Sequence, residues 1–61
     1  MTLDNYLIKF KITSLQFAKK VGVSHSAVSK WRIRNRTPGL KMMSKIEKIT
    51  KKRVSIADWI Q

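Results

Sequence analysis

The apolar residues of the chain fall into short groups that have the spacing of helices rather than strands. In the first group, Leu3, Tyr6, Leu7 and Phe10 recur at i, i+3, i+4 and i+7, which is the spacing of one helix face. Thr2 is of the type that caps a helix start. The pattern predicts helix 1 within residues 2–12.

The next two groups predict a pair of short helices separated by a glycine. Helix 2 begins at a Thr13 or Ser14 cap and stops at Gly22, since glycine is a common helix stop. Helix 3 follows a Ser24 cap and runs from about residue 25 to residue 33. The predicted inner faces are Leu15, Phe17, Ala18 and Val21 on helix 2, and Ala27, Val28 and Trp31 on helix 3.

A basic loop ending in Pro38 and Gly39 then interrupts the helical pattern. Beyond it, helix 4 is predicted from apolar residues at helical spacing, and helix 5 from a cap formed by Ser55 and Asp58. The apolar residues expected to be buried are Leu40, Met43, Ile46 and Ile49 on helix 4, and Ile56, Trp59 and Ile60 on helix 5. The predicted fold is all-α, a five-helix bundle in which residues 1–61 form a single domain.

The glycine between helices 2 and 3 predicts a helix-turn-helix, two short helices joined by a tight turn. Ala18 is small enough for the helices to cross closely, and Gly22 suits a turn that needs a positive φ. With Val23, Val28 and Trp31 turned inward, the outward face of helix 3 is determined. That face holds the predicted base-contacting residues, Ser24, His25, Ser26, Ser29 and Lys30.

Small polar side chains on an exposed helix suit insertion into the major groove of DNA. Lysine and histidine can donate to guanine, and serine can bond several base edges. The composition agrees, because fourteen Lys and Arg oppose three acidic residues and give a net charge of +11. A domain this basic is expected to bind a polyanion. The predicted phosphate-contacting residues are Ser14, Gln16, Arg32, Arg34, Asn35, Arg36, Thr37 and Lys41.

Composition argues against several other classes of protein. The chain has no cysteine and one histidine, so no metal site and no cofactor are expected. No acid lies near His25 to complete a catalytic set with its neighbouring serines. No apolar run approaches the roughly 20 residues of a membrane span, and no secretory signal is evident. The chain is therefore expected to be non-enzymatic and cytoplasmic.

Two alternatives from other classes remain open at this stage. A cationic amphipathic chain can bind an anionic membrane surface, although the breaks at Gly22 and Pro38 argue for short helices with a shared interior. An RNA-binding or protein-binding module is the other alternative. Groove-facing serines favour duplex DNA, because the major groove of A-form RNA is too narrow for a helix.

The sequence also resembles the Cro and phage-repressor type of helix-turn-helix regulator over about residues 13–60. The stretch FAKKVGVSHSAVSKW carries the likeness. The later part is similar to small prophage Cro-like regulators labelled YdaS-like antitoxins, which share VSxW, a basic loop with proline, and IE…T…V…D. The matching positions are Val28, Ser29, Trp31, Pro38, the segment IEKIT from Ile46, Val54 and Asp58.

The resemblance implies a lambda-repressor-like fold that binds double-stranded operator DNA, usually as a dimer, with helix 3 in the major groove. It implies recognition residues at His25, Ser26, Ser29 and Lys30. Many relatives have Gln at the first position of helix 2, where this chain has Ser14. Either Ser14 or Gln16 is expected to supply that phosphate contact. We expect a homodimer at least on DNA, with an interface that includes Met42, Ile56 and Ile60.

Overall fold

The computed structural model describes residues 1–60, which form five α-helices and no strand. The helices follow one another in the order predicted from the sequence. Their bounds are Leu3–Lys9 (α1), Ser14–Val21 (α2), His25–Arg32 (α3), Leu40–Ile49 (α4) and Ala57–Ile60 (α5). None of these helices is long and apolar enough to cross a membrane.

Side-chain hydroxyls begin the first three helices, as the sequence predicts. Thr2 accepts a hydrogen bond from the backbone N–H of Asn5 at 3.2 Å. Of the two residues predicted as the cap of α2, Thr13 is the one that caps the helix. Its hydroxyl accepts from the N–H of Gln16, and its own N–H donates to Gln16 Oε1, which completes a capping box. Ser24 caps α3 through the N–H of Ala27 at 3.2 Å. Each cap satisfies a backbone donor that the helix leaves unpaired.

The core draws one buried face from every helix. Its most deeply buried large side chains include Phe17, Val28, Ile46 and Val54. The rings of Trp31 and Trp59 meet edge to face with centroids 6.4 Å apart, which confirms that both tryptophans belong to the core and joins α3 to α5.

Four apolar residues assigned to buried faces are exposed instead. They are Phe10 at 41%, Leu15 at 50%, Leu40 at 72% and Ile60 at 76%. The buried stripe of α2 is centred between Phe17 and Ala18, which places Leu15 about 110° away from its centre at 100° per residue. Phe10, Leu40 and Ile60 lie at helix ends, where the chain is already passing out of the core.

One buried hydroxyl, missed in the sequence, fastens the end of α4. Thr50 is 1% exposed. It donates to the carbonyl of Ile46 at 2.8 Å and accepts from the N–H of Val54 at 3.1 Å. The N–H of the buried Val54, on the way from α4 to α5, is therefore paired.

Candidate nucleic-acid interface

The turn between α2 and α3 is built on a left-handed glycine. Gly22 has φ +89°, a conformation that side chains with a Cβ adopt only at a cost. The N–H groups of Gly22 and Val23 both donate to the carbonyl of Ala18, at 2.8 and 3.0 Å. A Cβ on Gly22 would approach only Lys45 Nζ, at 3.8 Å. The glycine is thus required by the backbone angle and not by a lack of space.

Burial of one side of α3 sets which residues the helix presents outward. Val28 is fully buried and Trp31 is 8% exposed, while Ala18 of α2 is 1% exposed at the helix crossing. Four of the five predicted base-contacting residues, Ser24, His25, Ser26 and Lys30, are exposed, and Ser29 is half-buried. Four of these five side chains are thus accessible to a groove, although the Ser24 hydroxyl already serves as the α3 cap.

A shallow depression connects the outward face of α3 with the loop that follows it. Its volume is about 290 Å³, and its lining residues are Ser24, Ser26, Ala27, Lys30, Trp31, Arg36 and Thr37. The lining contains two cations and three hydroxyls and no acid. Because cations and hydroxyl groups line it without an acid, the depression has the polarity of an anion-binding surface.

Arg32 and Ser14 have partners within the protein. The Arg32 guanidinium donates from Nε to Asp4 Oδ1 at 2.7 Å and from Nη1 to Ser14 Oγ at 2.9 Å. These bonds join the end of α3 to the first turns of α1 and α2. The structure therefore places both residues in a contact that holds the orientation of α3.

Arg34 is also turned towards the protein. Its Nη2 donates to the carbonyls of Asp58 and Trp59, at 3.3 and 3.4 Å. Its backbone is left-handed, with φ +61°, and the N–H groups of Arg34 and Asn35 close the end of α3 on the carbonyls of Trp31 and Lys30. This arrangement is a Schellman motif with arginine where glycine is usual.

The remaining predicted phosphate-contacting residues lie on the surface. Gln16 uses its Oε1 in the capping box of α2. The other four are exposed, namely Asn35, Arg36, Thr37 and Lys41. Of these, Arg36 and Thr37 share the depression with α3. The loop cations thus divide into Arg34, which is directed at α5, and Arg36, which lies beside α3.

The acidic residues Asp4 and Asp58 each have a cationic partner. Asp4 pairs with Arg32, and Asp58 accepts from the terminal ammonium of Met1 at 3.0 Å. Burial raises the pKa of Asp58, but hydrogen bonds from Ser55 and from the terminal ammonium outweigh burial and hold that pKa below its ordinary value of 3.8. With two of its three acids paired to cations, the protein leaves the depression without a competing acid.

The sequence missed two features of this interface. Ala27 and Trp31 form part of the depression although both belong to the inner side of α3. Arg32, which the sequence predicts only as a phosphate contact, forms an ion pair with Asp4. Both features depend on contacts across the fold. Arg32 is 28 residues from Asp4 along the chain, so no local pattern indicates the pair.

The fold and the turn together define an all-helical protein with a lambda-repressor-like helix-turn-helix. The model of the helix-turn-helix family matches residues 3–59, nearly the whole chain. The chain belongs to this family, and it is a DNA-binding transcription regulator. No curated protein and no solved structure matches the chain significantly.

Proposed function

We propose that this protein is a Cro-like repressor of phage or prophage type, and that it reads an operator half-site by placing α3 in the major groove. The observation that carries the proposal is the polar outward face of α3, held by the burial of Val28 and Trp31 and flanked by cations without a competing acid. Because no catalytic set was found in the sequence, the protein acts by binding alone, in the cytoplasm where DNA is accessible.

Base contacts come from the outward face of α3. The proposed contacting residues are Ser24, His25, Ser26, Ser29 and Lys30. Lys30 and His25 donate to guanine, while the short serines let the helix approach the bases closely. Ser24 also caps α3, so its hydroxyl has one acceptor site already in use.

Phosphate contacts position the protein without reading sequence. Arg36, Thr37, Asn35 and Lys41 are exposed in the loop after α3 and at the start of α4, which supports their role most directly. Ser14, Gln16, Arg32 and Arg34 are proposed as secondary contacts. Each of these four already bonds within the protein. Arg32 and Arg34 donate in those bonds, so a phosphate would share their donors, whereas Ser14 and Gln16 accept through their side-chain oxygens, and a phosphate would use their side-chain hydrogens.

Selection of binding sites from randomised DNA duplexes tests the proposal. We expect one enriched half-site, repeated as a palindrome with centres about one helical turn apart if the protein binds as a homodimer. Sedimentation on that duplex is then expected to show two chains per site. If no sequence is enriched, the proposal of operator recognition is contradicted. If one chain is found per site, only the proposal of a dimer is contradicted.

The proposed dimer surface lies in α4 and α5. Of the three residues predicted for it, Ile60 is 76% exposed, which supports an interface role. Met42 and Ile56 are half-buried against the core, so they can present only part of their surface to a second chain.

A pair of variants distinguishes base reading from phosphate contact. Lys30→Ala is expected to weaken the selected site by about 1–3 kcal/mol and to relax preference at one position. Arg36→Ala is expected to weaken all sequences alike and to reduce the salt slope by about one unit. Titrations at several salt concentrations measure both effects. Equal losses on selected and random DNA for Lys30→Ala would make Lys30 a phosphate contact.

A further inference from the structure

Two basic segments that are distant in sequence come together around one exposed ring. The Arg53 guanidinium carbon lies 5.3 Å from the centroid of the Phe10 ring, and Lys9 Nζ lies 5.8 Å from it. We call this surface the α1/α4 patch. Its residues, all exposed, are Lys9, Phe10, Lys11, Lys51, Lys52 and Arg53.

Three lysines of the α1/α4 patch occupy backbone positions that favour glycine. Lys11, Lys51 and Lys52 have φ values of 55°, 55° and 67°, a region in which a residue with a Cβ is strained. A cation at the carboxyl end of a helix interacts favourably with the helix dipole, which offsets part of the strain energy. The chain therefore carries positive charge where the backbone alone would prefer glycine.

The charge of the α1/α4 patch is not neutralised within residues 1–60. The two ion pairs there, Asp4 with Arg32 and Asp58 with the terminal ammonium, use none of its cations. Glu47, one turn before Lys51, forms no ion pair among these residues. The five cations of the patch, two of which lie over the Phe10 ring, thus form no ion pair among the described residues. Uncompensated positive charge of this kind is the electrostatic condition for binding a polyanion.

The α1/α4 patch and the outward face of α3 share no residue. The patch lies at the carboxyl ends of α1 and α4, whereas the proposed base-contacting residues lie on α3 and at its cap.

We propose that the α1/α4 patch binds the phosphates of a second DNA duplex, so that one protein bound through α3 also holds another duplex. The inference rests on the proposed function of α3. Charge complementarity selects a phosphate backbone as the occupant. Lys9 and Arg53 lie over the Phe10 ring, which leaves it less open to stacking by bases and favours a duplex over a single strand.

A bridging experiment tests the second site. The duplex enriched by selection is immobilised, the full chain is added, and capture of a fluorescent duplex of unrelated sequence is measured at fixed salt. The test variant is Lys11→Gly with Lys51→Gly and Lys52→Gly, which removes three charges at positions where glycine relieves strain. The matched control, Lys19→Gln with Lys20→Gln and Lys45→Gln, removes three charges near Gly22.

We expect the wild type and the control to capture the second duplex, and the test variant to lose capture by about tenfold or more, since three phosphate contacts are removed. Binding of the test variant to the immobilised duplex is expected to stay close to that of the wild type. Its thermal unfolding, followed by circular dichroism, is expected at or above the wild-type temperature.

Four results would overturn the second site. The first is no capture of the second duplex by the wild type, and the second is an equal loss of capture in both triple variants. The third is a test variant that loses binding to the immobilised duplex as strongly as it loses capture. The fourth is a test variant that loses binding to phosphatidylglycerol vesicles while its capture of DNA is unchanged. Absence of any binding to the immobilised duplex would be a failure of the proposed function of α3, and of this inference with it.

Discussion

At the scale of single residues, backbone conformation decides more than side-chain volume. Gly22 has a positive φ and free space where a Cβ would lie, whereas Gly39 is extended, with φ −69°, and also has open space. Since neither position has a steric clash, a comparison of alanine substitutions at the two glycines measures the cost of the left-handed backbone at Gly22.

Gly22→Ala is expected to lower the free energy of unfolding by about 1–2 kcal/mol, because alanine is strained in the left-handed region. Urea unfolding measures the change. The control, Gly39→Ala, is expected to change stability by less than about 0.5 kcal/mol, since lower freedom of the unfolded chain offsets poorer capping of α4. Equal costs at both positions would contradict this account of the turn.

Thr50 is the residue at which a buried hydroxyl supports the backbone. Thr50→Val keeps the shape of the side chain but removes the acceptor of the Val54 N–H, and a buried unpaired donor costs about 1–3 kcal/mol. Thr50→Ser keeps the hydroxyl and is expected to lose less. Thermal melts of both variants test this order, and a more stable valine variant would refute it.

At the scale of helices, the short α5 is held by polar contacts as well as by Trp59. The Asp58 carboxylate accepts from the N–H and hydroxyl of Ser55, and Arg34 donates to carbonyls in α5. A helix of four residues has little stability of its own. Its place beside α3 therefore depends on these contacts and on the Trp31–Trp59 pair.

The lowered pKa of Asp58 predicts sensitivity of this helix to acid. A carboxylate whose pKa is lower in the folded state contributes stability above its ordinary pKa, and this is lost as pH falls through the folded-state pKa. The stability difference between wild type and Asp58→Asn is expected to shrink from about pH 5 to about pH 2. Melting temperatures across that range test it, and a difference independent of pH would contradict it.

At the scale of the whole molecule, charge of one sign opposes folding. A net charge of +11 on 61 residues produces self-repulsion in the compact state. The ion pair between Asp4 and Arg32 is partly exposed, and such pairs contribute about 1 kcal/mol or less. Salt screens both the repulsion and the attraction. The stability gained when repulsion among many cations is screened therefore exceeds the stability lost when the ion pairs are screened.

Added salt is accordingly expected to stabilise the free protein. The melting temperature should rise between about 20 mM and about 500 mM NaCl, because the Debye length falls well below the dimensions of the molecule. Binding to DNA should weaken over the same range, since phosphate contacts release counterions. A melting temperature that falls with salt would show that attraction dominates the charge network.

Much of the fold follows from local signals. Thr2, Thr13 and Ser24 mark helix starts, Gly22 marks the turn, and Val28 and Trp31 mark the inner side of α3. Each signal acts through a few neighbouring residues, so periodicity and cap chemistry suffice to read it. The helical class, the five helices and the outward face of α3 could be predicted for that reason.

The ends of three helices could not be predicted in the same way. α1, α3 and α4 end in Schellman turns with Lys11, Arg34 and Lys51 in the left-handed position. Lysine and arginine at that position do not indicate a helix end as glycine does, because both are also common inside helices. The left-handed backbone angle costs free energy, and packing of the next segment against the core compensates for that cost.

Periodicity and charge thus determine which segments are helices, which side of α3 faces outward, and that the chain meets a polyanion. The tertiary structure decides how cations are divided among roles. Arg32 holds α1 and α2, Arg34 bonds α5, Arg36 lies beside α3, and Arg53 covers Phe10. The reason is physical: a cation's role depends on which acids, carbonyls and rings reach it in space, and those partners lie far from it along the chain.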